Sequence, residues 1–358
     1  MAPLKLRDRD AVITKEGLIF RVFGYAHPPN ACVCDAEYAP SAIFQSDNPK
    51  ALRNKGDRVF YKFYEDEGWW FLQRNYSQYM IFHAMLQNKV VGVDQSGISE
   101  VRKPEEELAK LLAEESKDEL VTATKSVLDL TFQSSSLSSK NFGVFGSMLH
   151  GFHNPKFSDI DLTVYGRRNI VRQLETLQES YASPDSLFRN EFETDESIRG
   201  KNWRFINYNS EEFLQHQRRK VIYALFNDKN SGRIIKAEFE PVKDWSEISN
   251  EYNPETRIVH KGWIKMVARI TDDEDALFMP AVYGVEPLEV LNGPREAGDV
   301  KRIVSYLEEF RLQAKRDEQV YVEGNLEKVV ASKGSYYQIT LTYCPRYYEQ
   351  VLKSLKAR

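Results

Sequence analysis

Asp159 and Asp161 stand one residue apart in the stretch GSMLHGFHNPKFSDIDL, residues 146–162, behind a Gly-Ser pair and a basic loop. Two carboxylates on one side of an apolar strand repel, and burying them is costly unless a cation compensates. In an extended segment their side chains share one face, about 6–7 Å apart along the chain. That spacing lets both reach one or two hard, oxygen-preferring divalent cations. A two-metal site needs a third carboxylate, and Glu238 and Glu240 in GRIIKAEFEPV (232–242) both offer one. Gly146 and Ser147, where a strand ends and a helix is expected, present backbone N–H groups and a hydroxyl suited to a phosphate chain. An anion cradle beside a metal pair is equipment for phosphoryl or nucleotidyl transfer.

The elements that must position these groups follow from patterning. DIDLTVYG alternates Ile160, Leu162 and Val164 against Asp159, Asp161 and Thr163, which predicts a strand. GRIIKAEFEPV sets Ile235, Ala237 and Phe239 against Lys236, Glu238 and Glu240 in the same way. Helices are expected at KPEEELAKLLAEES, at ELVTATKSVLDL behind a Ser116/Glu119 capping box, at NIVRQLETLQESYA and at SEEFLQHQRRKVIYALF. The expected class is α+β: a central domain of strands and helices at 104–255, between β-rich modules at 1–100 and 257–358. The second module is expected to hold one long helix, DVKRIVSYLEEFRLQAKR. Residues 17–38 align without gaps on 262–283, with Gly17/Gly262, Ile19/Ile264 and Tyr38/Tyr283 coinciding, so the modules read as related and able to form one body.

Composition narrows the classes. With 42% hydrophobic and 28% charged residues the chain is a folded globular protein. A net charge of −4 argues against nonspecific coating of nucleic acid but leaves room for a local basic groove. Cys32, Cys34 and Cys344 are too few for a disulfide framework, and the start MAPLKLRDRD lacks the apolar core of a signal peptide. No apolar run is long enough to span a bilayer, and a cytoplasmic protein is expected.

Taken together, Phe145, Gly146, Ser147, then Asp159, Ile160, Asp161 and Leu162, with Gly151 and Ser158 between, resemble the signature of the DNA polymerase β-like nucleotidyltransferase superfamily. Large archaeal proteins carrying such a domain in mid-chain are similar overall. The resemblance covers about residues 105–245. It implies a mixed sheet for the central domain, and that Ser147 grips a nucleoside triphosphate while Asp159 and Asp161 ligate two Mg²⁺ or Mn²⁺ ions. It also implies a third acid three residues before a proline; Glu238 precedes Pro241 so, which selects it over Glu240. Relatives commonly place arginine just after the Gly-Ser, where this chain has Met148 and Leu149. The phosphates then need another cation: Lys156, Arg167 or Arg168, or the helix residues Arg218, Arg219 and Lys220, with Gly146 and Ser158 completing the nucleotide contacts.

The other features have plainer readings. His150 and His153 read as loop histidines, QHQRRK as a solvated helix face, and the aromatic runs GWWFL and SYYQITLTY as core. The expected activity is transfer of NMP from an NTP with release of pyrophosphate, to a nucleic-acid 3′ end, RNA before DNA. Protein or small-molecule nucleotidylation, or an NTP-binding module without chemistry, are the competing readings.

Overall fold

Short apolar runs broken by Gly, Pro and Asn give the N-terminal segment its strands. In the computed structural model, which describes residues 4–115, 118–199, 204–343 and 346–355, these are β1 (Ala11–Thr14), β2 (Ile19–Val22), β3 (Ala31–Pro40), β4 (Leu52–Lys55), β5 (Arg58–Lys62), β6 (Met80–His83), β7 (Asn88–Asp94) and β8 (Ile98–Arg102). Six of them run in the order β4-β5-β3-β2-β1-β8, and β7 pairs with both β3 and β6. GWWFL does not extend this sheet. It lies in helix α1 (Glu67–Asn75), with Phe71 and Leu72 buried and Trp69 and Trp70 exposed, so the tryptophans depart from the core reading.

Helix α2 (Pro104–Ala113) begins at Pro104, whose missing N–H costs nothing there. Helix α3 (Glu119–Ser134) is capped by Asp118, which accepts from the backbone N–H groups of Leu120 and Val121; Ser116, the expected cap, lies outside the described residues. Next come β9 (Phe142–Val144), α4 (Gly146–His150), β10 (Ile160–Tyr165), α5 (Arg167–Ala182), β11 (Phe188–Asn190), α6 (Ser210–Lys220), β12 (Tyr223–Asp228) and β13 (Arg233–Val242). These strands form a sheet of order β11-β12-β13-β10-β9, in which β10 and β13 are parallel and β9 is antiparallel to β10. The helix expected to run on through VIYALF stops at Lys220. Val221 takes a left-handed conformation and the chain turns into β12.

The last segment holds β14 (Arg257–Asp272), β15 (Ala281–Asn292), β16 (Val300–Ser305), β17 (Gln319–Ala331), β18 (Gly334–Leu341) and β19 (Val351–Leu355). The expected long helix over 299–316 is absent: its first half is strand β16 and a 3₁₀ turn at Glu308–Phe310 follows. Leu307, Phe310 and Ala314 have helical spacing and are buried, but the β-branched cluster of Val300, Ile303 and Val304 fits a pleated surface better. The pairing order β14-β15-β16-β18-β17 closes on itself through β14–β17, and β16–β18 is the parallel pair in the ring. Inside it pack Ile264, Met266, Tyr283, Ile303, Val322, Leu326 and Ile339. The two aligned segments are both antiparallel hairpins with different registers. Tyr38 pairs with Ile19, whereas Tyr283 pairs with Ile303 of β16, so the matches reflect hairpin chemistry rather than a duplicated module.

The chain divides into two compact units, each discontinuous. One holds Met1–His83, Asn88–Arg189 and Ala224–Tyr252; the other holds Ala84–Gln87, Asn190–Tyr223 and Asn253–Arg358. The N-terminal sheet therefore shares a unit with β10 and β13, and the two β-rich ends do not make one body. No described helix is long and apolar enough to cross a membrane.

Candidate active site

The acidic cluster is assembled by two parallel strands. Asp161 on β10 is the register partner of Glu238 on β13, and Thr163 is the partner of Glu240. Register partners in a sheet project to the same side, so Asp161 and Glu238 are neighbours on one face. Asp159, just before β10, is exposed, while Asp161 and Glu238 are half-buried. Asp161 and Glu238 are thus brought together at one end of the central pair, with Asp159 two residues before Asp161 on the chain.

Glu240 has a different fate. It is fully buried, accepts from Arg9 Nε at 3.0 Å, and ion-pairs with the same guanidinium through Nη2. A carboxylate so engaged serves the fold, because breaking a buried pair leaves an uncompensated charge.

Gly146 lies against Asp161. Its φ is +61°, and a Cβ added to it would come within 2.3 Å of Asp161 Oδ2. Phe145 N–H donates to the Asp161 carbonyl at 3.0 Å, which clamps the start of the Gly-Ser turn to β10. Helix α4 behind this turn has only five residues, and the chain then bends back so that Phe152 N–H donates to the Ser147 carbonyl at 2.8 Å. The expected helix start is thus one short turn, and what it offers an anion is the local backbone of Gly146 and Ser147 with the Ser147 hydroxyl.

Burial first, then the charge of Asp159, pushes the Asp161 carboxyl up to about 7, against the pull of Lys62 and Arg9. A carboxylate held that far above its usual range gains most from a bound cation. The donors are all carboxylate oxygens, the set that Mg²⁺ and Mn²⁺ prefer. Among the described residues no three His, Cys, Asp or Glu side chains close around one point by themselves. Such a site fits an ion that keeps water and substrate phosphate oxygens as its other ligands.

Ser158 and Lys156 belong to a loop organised by Asn154. Asn154 N–H donates to Ser158 Oγ at 2.8 Å, and Asn154 Oδ1 accepts from Lys156 N–H at 2.9 Å. Phe157 beside them is 81% exposed. The cations expected from α6 lie in the other unit and are occupied there. Arg218 donates to the carbonyls of Phe192 and Glu193, Arg219 to Glu318, and the buried Lys220 to the carbonyls of Glu308 and Glu309. QHQRRK is not a solvated face, since His216, Gln217 and Lys220 are buried.

His150 is not a loop histidine either. It is fully buried, with Nδ1 3.0 Å from Arg102 Nη1 and Nε2 3.6 Å from Glu37 Oε2. His153 Nε2 lies 3.2 Å from Asp118 Oδ2. Cys32 and Cys34 are buried thiols on β3, as the strand reading expects; Cys344 falls outside the described residues. Sequence reasoning missed the residues around Asp161 that come from the N-terminal segment: Arg9 just before β1, Glu37 on β3 and Lys62 on β5. No local signal marks them, since they meet β10 only through tertiary pairing.

Residues 130–237 match the family model described as nucleotidyltransferase domain. An uncharacterized protein of Methanocaldococcus jannaschii is 25% identical to this chain over 347 residues, covering 94% of each. The similarity therefore extends through both β-rich ends as well as the matched domain. No solved structure matches the chain.

Proposed function

We propose that the chain is a divalent-metal-dependent nucleotidyltransferase that moves NMP from an NTP to a nucleic-acid 3′ end. The observation that carries the first part is the register of Asp161 opposite Glu238, with Gly146 pressed against the Asp161 carboxylate. Two Mg²⁺ or Mn²⁺ ions, held by Asp159, Asp161 and Glu238, would supply neutralisation of the triphosphate and a more acidic acceptor hydroxyl. The chain's own part is positioning. The backbone at Gly146 and the Ser147 hydroxyl receive phosphate oxygens, and β10 and β13 fix the carboxylates before substrate arrives. The acceptor hydroxyl gives up its proton to water as its oxygen attacks the α-phosphorus, the bond to the β-phosphate oxygen breaks, and pyrophosphate leaves.

The acceptor reading rests on the second unit. Its ring runs first, second, third, fifth, fourth and back to the first, with third and fifth parallel, which is the strand order of the OB-type barrel. Barrels of that kind bind oligonucleotides. Arg346 stands 3.8 Å from the Trp263 ring centroid, Arg302 5.1 Å from that of Tyr336 and Lys328 5.5 Å from that of Tyr337. Interleaved cations and aromatic faces suit phosphates and bases of a single strand. The test is one panel: purified protein with Mg²⁺ or Mn²⁺ and each labelled NTP and dNTP, against RNA, primed DNA and lysate protein. Label in RNA or DNA supports the reading. Label in protein alone replaces the acceptor, and no label or pyrophosphate anywhere favours a binding module.

A further inference from the structure

We propose that Lys62, on strand β5 of the N-terminal sheet, is the cation that meets the β- and γ-phosphates of the bound nucleotide, in place of the arginine missing after Gly146-Ser147. The inference rests on the nucleotidyltransferase reading and adds a residue from outside the matched domain to its site.

The geometry runs through the face of the sheet. Lys62 is the antiparallel register partner of Tyr38 on β3, so both side chains leave the sheet on the same side. Tyr38 packs its ring edge-on against His150 at 5.4 Å and Phe152 at 5.1 Å. Phe60, two residues before Lys62 and hence on its face, lies 4.8 Å from Phe152. Lys55 of the same hairpin donates to the His150 carbonyl at 2.8 Å. This face therefore covers the segment that begins at Gly146, and Lys62 issues from it.

Electrostatics agree with the placement. Lys62 interacts electrostatically with both Asp161 and the half-buried Glu37, so its charge lies on the side of the sheet that holds the acids. Several of the alternatives are already engaged. Met148 and Leu149 are buried apolar groups, Arg9 is committed to Glu240, and Arg218, Arg219 and Lys220 are engaged in the other unit. The Lys62 backbone N–H donates to the Ala51 carbonyl at 2.8 Å, but its ammonium donates no hydrogen bond among the described residues and stands 5.8 Å from the Tyr64 ring centroid. A half-buried lysine whose ammonium donates no hydrogen bond is available to a triphosphate.

The experiment measures binding by calorimetry in Mg²⁺ for the α,β-methylene analogues of ATP, GTP, CTP and UTP, and for the four NMPs. Wild type, Lys62→Ala and Lys62→Arg are compared, with melting curves to verify folding. The expected result is at least a tenfold loss of analogue affinity in Lys62→Ala, unchanged NMP affinity, and recovery of most of the loss in Lys62→Arg. Unchanged analogue affinity in Lys62→Ala overturns the proposal, as does a shifted pH profile of turnover with affinity intact, which would make Lys62 only a tuner of Asp161. If wild type binds none of the analogues, the nucleotidyltransferase reading itself fails; Lys62 can fail while that reading stands.

Discussion

A methyl group on residue 146 would collide with the carboxylate of residue 161: the space between Gly146 and Asp161 Oδ2 admits no Cβ, and the φ of +61° at Gly146 disfavours one in any case. The turn that delivers Ser147 and the strand that delivers Asp161 are therefore locked together. Gly146→Ala must either rotate the carboxylate or lift the turn. Pyrophosphate release should fall at least a hundredfold, while melting shows a loss of about 1–2 kcal/mol, the cost of a left-handed alanine. Near-wild-type release from this variant would show that the fit of turn to carboxylate does not matter.

Asp161→Asn should abolish turnover yet stabilise the protein in alkali. The folded-state carboxyl titrates at about 7, above its ordinary 3.8, chiefly through burial and then Asp159. Its contribution is therefore full below pH 4, is lost as pH rises from about 4 to about 7, and stays lost above that. Without divalent ions the asparagine variant should be more stable than wild type by up to about 4 kcal/mol at pH 8, with no advantage at pH 4. Urea melts at the two pH values check the sign.

Divalent ions should relieve the same repulsion. Adding Mg²⁺ or Mn²⁺ at pH 8 is expected to raise the melting temperature of wild type and to leave an Asp159→Ala/Asp161→Ala variant where it was. Equal shifts in both proteins would place the ion elsewhere.

The two glutamates of β13 should separate cleanly. Glu238→Gln is expected to lose turnover with stability within about 0.5 kcal/mol of wild type. Glu240→Gln is expected to cost about 3 kcal/mol, because it leaves Arg9 buried with half its partner. The reverse pattern in paired activity and melting measurements would exchange their roles.

The strands of the candidate site were legible in the sequence because their patterning is local. Period-two alternation around Asp159, Asp161 and Glu238 predicts the two strands, and the parallel pairing that sets Asp161 beside Glu238 joins two correctly anticipated elements. Errors arise where a short apolar run suits two periods. Val300, Ile303, Leu307 and Phe310 keep a helical spacing, but β16 is stabilised by partners on β15 and β18 that spacing cannot reveal. That misreading also hid the closed ring, since without its third strand the order of the others has no meaning. Lys62, Glu37 and Arg9 were invisible for another reason. Their relation to Asp161 exists only once the N-terminal sheet has docked, and nothing in FYKFYE or RDRD announces it.

The split of the five-stranded sheet sets a timetable for synthesis. Strand β13 sits in the middle of the order β11-β12-β13-β10-β9, yet residues 190–223, which belong to the other unit, are made between β10 and β13. As the chain leaves the ribosome, the strand bearing Asp161 must wait, with one edge unpaired, until the strand bearing Glu238 arrives. A fragment ending at Arg189 would expose that edge permanently, so truncation there should yield aggregation rather than a smaller enzyme.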